Sequence, residues 1–160
     1  MRLPYVTPSL AALLVIAGGI NGGALGKPSK GSDPSNELVG RWALVATLVD
    51  GEDVTKGGVT QPGPVRHYVF NKDKTFRITV GDSVTETGIW STNPFVSPKI
   101  FDHTWNTGTG LGPTVPGIYE LGGEVLKISI LPPNTEPRPT RFESKASNGS
   151  RIYIFKRVPE

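Results

Sequence analysis

The chain of 160 residues contains no cysteine. This absence excludes a disulfide framework, a thiol nucleophile and a thiolate-bound metal. It also excludes attachment to a membrane through an acylated N-terminal cysteine. The fold must therefore be stabilised by a packed core, and the chain is long enough to form one.

Charge is also sparse, because Asp, Glu, Lys and Arg make up 19% of the residues and the formal net charge is +3. The basic residues are scattered along the chain, and none of its segments carries the dense Lys/Arg stripe that tracks phosphates. We therefore expect no nucleic-acid partner.

The chain has a single long apolar run, LAALLVIAGGI at residues 10–20, and this run is shorter than the roughly 18 to 20 residues that span a bilayer. Arg2 precedes it, and the small residues Ala24 and Gly26 follow it. This order is typical of a secretory signal peptide, and a transmembrane anchor is the weaker interpretation. We predict a signal peptide at residues 1–26, export to the periplasm or the extracellular space, and no membrane span after cleavage.

The remaining 160 − 26 = 134 residues divide into two parts. Residues 27–37 are rich in Pro, Ser and Gly, which predicts a flexible linker. Residues 38–158 alternate between apolar and polar side chains, with turn residues between the runs and no sustained helical period. The first run, for example, is predicted to have one face formed by Trp42, Leu44, Ala46 and Leu48.

About eight such runs follow one another, and an all-β, antiparallel up-and-down barrel accommodates eight sequential strands without exposed edges. Two segments rich in Gly and Pro, residues 52–64 and 106–116, are predicted to be long loops.

Several motifs carry a family likeness: LVGRW at residues 38–42, SPKIFDHT at 97–104, GIYELGGEVLKI at 117–128, RPTRFES at 138–144 and a closing FKR. Together they resemble a lipocalin-like family of small exported domains, mostly uncharacterised, that is abundant in planctomycete-type bacteria. The resemblance implies a fold and a compartment but no reaction. The chain departs from the family pattern at His103 and at Arg141.

Gly40-Arg41-Trp42 also resembles the G-x-W motif that opens the first strand of lipocalins. The resemblance implies that Trp42 closes the barrel floor and that a basic residue of the last strand stacks on it, with Arg157 the first choice and Lys156 the second. Asp102 and Arg138 are interpreted as structural residues that pair with each other or with neighbouring backbone groups.

No catalytic residues are predicted, because the chain lacks a G-x-S-x-G motif and its two histidines, His67 and His103, each lie on a presumed strand. Asp102 and His103 are strand neighbours, so their side chains point to opposite faces. No metal site is predicted, since the histidines lack ligand spacing. We therefore expect a non-enzymatic protein without a cofactor.

His103 shares a strand face with Phe101 and Trp105. If this face lines the lumen, the imidazole could ligate haem iron or form a hydrogen bond to a polar ligand head. The alternative is an ordinary core or surface histidine.

The leading functional hypothesis is non-catalytic binding of a small, largely apolar ligand in the barrel. It requires a cavity of at least roughly 300 Å³. The alternative is a protein-interaction or inhibitor module that uses the loops 52–64 and 106–116, with a packed lumen and an exposed apolar patch near those loops. The candidate ligand-binding residues could equally be core residues: Trp42, Phe101, His103, Trp105 and Tyr119.

Overall fold

The computed structural model describes residues 33–55, 64–135 and 137–159. The predicted signal peptide and linker residues 27–32 lie outside the described residues. Within the described ranges, a short 3-10 helix precedes nine strands: helix Pro34–Asn36, then β1 Gly40–Val49, β2 Glu52–Asp53, β3 Arg66–Phe70, β4 Thr75–Val80, β5 Ser83–Asn93, β6 Lys99–Asn106, β7 Leu111–Gly122, β8 Val125–Ile130 and β9 Arg151–Val158.

All pairings between these strands are antiparallel, and β3 to β9 follow one another around the sheet in chain order. β1 pairs with β3 on one side and with β9 on the other, which closes the sheet. The two-residue β2 only extends the end of β1. The predicted eight-stranded, up-and-down antiparallel barrel is therefore confirmed.

The interior of the barrel contains many aromatic side chains, because residues at alternate positions along each strand point inward. Rings from different strands meet edge-on, as for Phe70 on β3 with Trp90 on β5, whose centroids are 5.4 Å apart. Gly88 makes room for this packing, because a Cβ added there would lie 2.5 Å from the Phe76 ring and 2.2 Å from the Thr104 carbonyl oxygen.

The predicted face of β1 is wrong in its second half. A register shift between Leu44 and Ala46 leaves Val45 as an extra, exposed residue. Beyond it, Thr47 pairs with the inward-facing Tyr153, whereas Ala46 pairs with Ile154 on the outer face. The bulge therefore reverses the alternation, so Ala46 and Leu48 leave the face of Trp42.

The predicted loop at residues 106–116 is mostly strand. Only residues 107–110 form a turn, and β7 begins at Leu111 in spite of Pro113 and Pro116. Pairing with β8 starts at Gly117, so the preceding residues of β7 pair with β6 alone. Proline is tolerated there because one side of the strand makes no ladder bonds.

The predicted loop at residues 52–64 begins with β2 and a turn, and residues 56–63 lie outside the described residues.

The described residues of the β8–β9 connection, 131–135 and 137–150, lie against the outer surface of the barrel. Arg138 donates to both carboxylate oxygens of Asp102, on β6, and to the carbonyl oxygen of Gly117, on β7. Ser150 shares a 2.9 Å hydrogen bond with Ser129, on β8. The interpretation of Asp102 and Arg138 as a pair thus matches their contacts.

Candidate functional site

The two ends of the barrel differ. At the end that we name the closed end, the strand connections 71–74, 94–98 and 123–124 surround the N-terminal segment, residues 33–39. At the other end, named the open end, lie the turns 50–51, 81–82 and 107–110 and the connection 131–150.

Trp42 lies at the closed end and is fully buried. Its indole nitrogen donates to the carbonyl oxygen of Leu38 at 2.8 Å. The guanidinium carbon of Arg157 lies 4.1 Å from the centroid of the ring, and the same group donates to the carbonyl oxygens of Val39 and Glu37. The contact between Arg157 and Trp42 that the resemblance implies is present, whereas the side chain of Lys156 is exposed.

The N-terminal segment is held by further polar contacts. Glu37 accepts from the Lys99 ammonium at 2.7 Å and from the Tyr119 hydroxyl at 2.5 Å. Burial, and then the hydrogen bond to Glu37, raise the pKa of Tyr119. The Lys74 ammonium contacts Asn36 and lies over the Trp90 ring. These contacts extend the ordered domain into the predicted linker, at residues 33–37.

A cavity of about 40 Å³ occupies the open half of the lumen. It is much smaller than the roughly 300 Å³ that ordinary small-molecule sites need. The lumen is filled mainly by its own aromatic rings. The lining comes from β3, β4, β6, β8 and β9: Tyr68, Phe70, Phe76, Phe101, His103, Trp105, Ile128, Ile130 and Tyr153.

His103 is the polar exception in this lining. Its side chain is 7% exposed, and its ring centroid lies 5.9 Å from that of Phe76 and 4.9 Å from that of Trp105. Its Nδ1 is buried and has no hydrogen-bond partner among the described residues. Burial lowers the pKa of His103 to about 4, against a small raising effect of Asp102. The imidazole is therefore neutral near pH 7.

The five predicted ligand-binding residues fall into two groups. Phe101, His103 and Trp105 line the cavity, whereas Trp42 and Tyr119 belong to the closed end and do not reach it. Tyr68, Phe76 and Tyr153 also line the cavity, although they are not among the predicted ligand-binding residues. The alternation of β3, β4 and β9 places them inward, but only the pairing register brings them to the same height as His103.

The open end carries exposed aliphatic side chains that we name the open-end rim. Val54 and Val65 flank residues 56–63, Val84 follows the β4–β5 turn, and Leu111 follows the β6–β7 turn. They are 47%, 51%, 55% and 59% exposed, respectively. Apolar side chains are therefore exposed between β2 and β3, after the β4–β5 turn and after the β6–β7 turn.

Other kinds of site are not represented in the described part of the chain. It contains no group of three or more His, Asp or Glu side chains arranged to hold a metal ion. Nor do the described residues include a helix long and apolar enough to cross a membrane. No family model, curated protein or solved structure matches the chain.

Proposed function

We propose that the chain is a non-catalytic, exported binding domain that recognises a protein partner through the open-end rim. The observation that carries the proposal is the pairing of a nearly filled lumen with exposed aliphatic side chains at the same end of the barrel. Both features are expected of an interaction module, although Phe95 and Val96 are also exposed, at the closed end.

The size of the cavity argues against the leading hypothesis from the sequence. A cavity of about 40 Å³ is smaller than the 150 Å³ or so that holds a benzene molecule. A ligand of ordinary size would have to displace several packed rings, each of which contributes on the order of 1 kcal/mol beyond its buried area. Haem, a still larger group, would require a wider rearrangement of the lumen around His103.

Charged residues of both signs lie near the rim. Asp50, Glu52 and Asp82 are exposed at the open end, and so are Arg66 and Arg151. An apolar centre with charged residues around it is the usual composition of a protein interface.

Site-specific photo-crosslinking in the native host tests this proposal. A benzophenone side chain at position 84 or 111 should crosslink to one discrete protein, whereas position 125, exposed at the closed end, serves as the matched control. Leu111→Glu should then weaken binding of the purified partner at least tenfold, about 1.4 kcal/mol, and Val125→Glu should not. Equal crosslinking at all three positions, or none, would contradict the proposal.

A further inference from the structure

A second observation is independent of the open-end rim and concerns the pair Asn148-Gly149 in the β8–β9 connection. The chain has one other Asn-Gly pair, Asn21-Gly22, which lies within the predicted signal peptide. An asparagine loses its side-chain amide most readily before a glycine, because no Cβ then hinders the approach of the next backbone nitrogen to the side chain. Asn148 is exposed, so water for the hydrolysis is at hand.

We infer that Asn148 is a site of spontaneous deamidation and that opening of the surrounding turn, residues 143–150, sets its rate. In this reaction the deprotonated backbone nitrogen of Gly149 attacks Cγ of Asn148. A C–N bond forms, the bond from Cγ to Nδ2 breaks, and Nδ2 leaves as ammonia. Water then opens the resulting succinimide ring at either of its carbonyl carbons. The products are aspartate and isoaspartate at position 148, and no oxidant or reductant takes part.

The turn holds both reacting groups in hydrogen bonds. Oδ1 of Asn148 accepts from the backbone nitrogens of Lys145 and Ser150, at 3.1 and 2.9 Å. Nδ2 donates to the carbonyl oxygen of Glu143 at 3.0 Å. The backbone nitrogen of Gly149 donates to the carbonyl oxygen of Lys145 at 3.1 Å. The proton that the reaction must remove is therefore bonded, and the side chain cannot rotate until its own bonds open.

Two buried serines fix this turn to the barrel. The hydroxyl of Ser144 contacts the carbonyl oxygens of Leu48, on β1, and of Ser150, at 3.2 and 2.8 Å. The hydroxyl of Ser150 is bonded to that of Ser129, on β8. Removal of the Ser144 hydroxyl should therefore loosen the turn, while the Asn-Gly pair and its direct hydrogen bonds stay in place.

Deamidation also changes the turn that controls it. The product has only acceptor oxygens in place of Nδ2, so the hydrogen bond to the carbonyl oxygen of Glu143 is lost. In isoaspartate the main chain also runs through Cβ, which displaces the backbone nitrogens of Gly149 and Ser150. Modified chains therefore do not regain the closed turn, and they accumulate as the protein ages.

The test incubates the purified chain at mildly alkaline pH and follows the peptide that contains Asn148 by mass spectrometry. The same chain unfolded in urea gives the rate of the pair without the turn. The folded chain should react at least about tenfold more slowly, because several hydrogen bonds must open first. Equal rates in the folded and unfolded chains would overturn the role of the turn. No reaction at Asn148 in the unfolded chain would overturn the site itself.

Two variants identify the step that limits the rate. Ser144→Ala should speed deamidation of the folded chain at least about threefold. Ser147→Ala, on an exposed residue next to Asn148, is the matched control and should leave the rate unchanged. Equal rates in the two variants would contradict the inference.

Hydrogen exchange provides a second measurement if Ser144→Ala does not fold. Exchange of the Gly149 amide and deamidation at Asn148 require the same hydrogen bond to the Lys145 carbonyl to open. In the wild-type chain, folding should therefore slow the two reactions by factors that agree within about threefold. Rapid exchange at Gly149 together with strongly slowed deamidation, or the reverse, would contradict the inference.

Discussion

Arg157 stacks on Trp42 and at the same time donates to the carbonyl oxygens of Val39 and Glu37, at 3.0 and 3.1 Å. One guanidinium group therefore joins the last strand, the first strand and the N-terminal segment. Lysine cannot reproduce this arrangement, because its ammonium lacks the planar fork that stacks and bonds together.

Arg157→Lys should lower the free energy of unfolding by about 1–2 kcal/mol, and Arg157→Met by about 2–3 kcal/mol, since it also leaves two carbonyl oxygens without their donors. Urea denaturation measures both. Lys156→Met, on the neighbouring exposed residue, is the control and should change stability by less than about 0.5 kcal/mol. Equal effects of Arg157→Met and Lys156→Met would contradict the assigned role.

Gly88 is required by close packing rather than by backbone conformation. Gly88→Ala would place a methyl group 2.2 Å from a backbone oxygen of β6, so the strands must separate, and we expect a loss of at least about 2 kcal/mol. Gly122→Ala is the matched control, because no atom lies within 4 Å of the added Cβ. Thermal unfolding of the two variants should differ by several degrees, and similar melting temperatures would refute this account of the packing.

His103 should make stability depend on pH. Its pKa is about 4 in the folded chain and near its ordinary value of 6.5 in the unfolded chain, so between these values only the unfolded chain binds the proton. The stabilisation is complete above pH 6.5 and is lost as the pH falls towards 4, by a total on the order of 3 kcal/mol. Carboxylates titrate in part of the same range, so the measured quantity is the difference between the wild type and His103→Phe. A difference that does not change between pH 7 and 4 would show that His103 is not buried as described.

The pair of Asp102 and Arg138 should be more strongly coupled than an ordinary surface ion pair. Its side chains are 23% and 32% exposed, and both carboxylate oxygens accept hydrogen bonds. A double-mutant cycle with Asp102→Asn and Arg138→Gln should give a coupling energy of about 1–2 kcal/mol. The pair of Glu120 and Lys127, which are 61% and 37% exposed, should give less than about 0.5 kcal/mol. Equal coupling energies for the two pairs would show that Asp102 and Arg138 interact no more strongly than an ordinary surface ion pair.

The N-terminal segment should belong to the folding unit. A chain that begins at Asp33 keeps Glu37 and the fully buried Leu38, and it should be as stable as one that begins at Lys27. A chain that begins at Gly40 loses the buried leucine and the partners of Lys74, Lys99 and Arg157, and it should lose at least about 3 kcal/mol. Chemical denaturation of the three chains measures these differences. Equal stability of the chains that begin at Asp33 and at Gly40 would disprove the prediction.

The strand order was predictable because apolar and polar residues alternate along each strand and because each turn contains Gly, Asn, Asp or Pro. The bulge after Leu44 was not predictable, since an inserted residue leaves the local alternation of apolar side chains looking intact. Pro113 and Pro116 concealed the strand character of residues 111–116. Proline is tolerated at these positions because β8 pairs with β7 only from Gly117 onward.

The candidate site was predictable only in part. Phe101, His103 and Trp105 share a strand face, which alternation alone shows. That Trp42 and Tyr119 lie at the opposite end follows from the direction of β1 and β7 in the barrel and from their bonds to Leu38 and Glu37. The size of the cavity depends on the packing of side chains from five strands, which a single sequence does not reveal.

Native mass spectrometry of the protein purified from its own host tests whether the open-end rim binds a protein partner. We expect a complex with a protein partner that is lost in Leu111→Glu and retained in Val125→Glu, and no retained apolar molecule of benzene size or larger. A chain that carries a retained apolar ligand of benzene size or larger, with no protein partner, would contradict it.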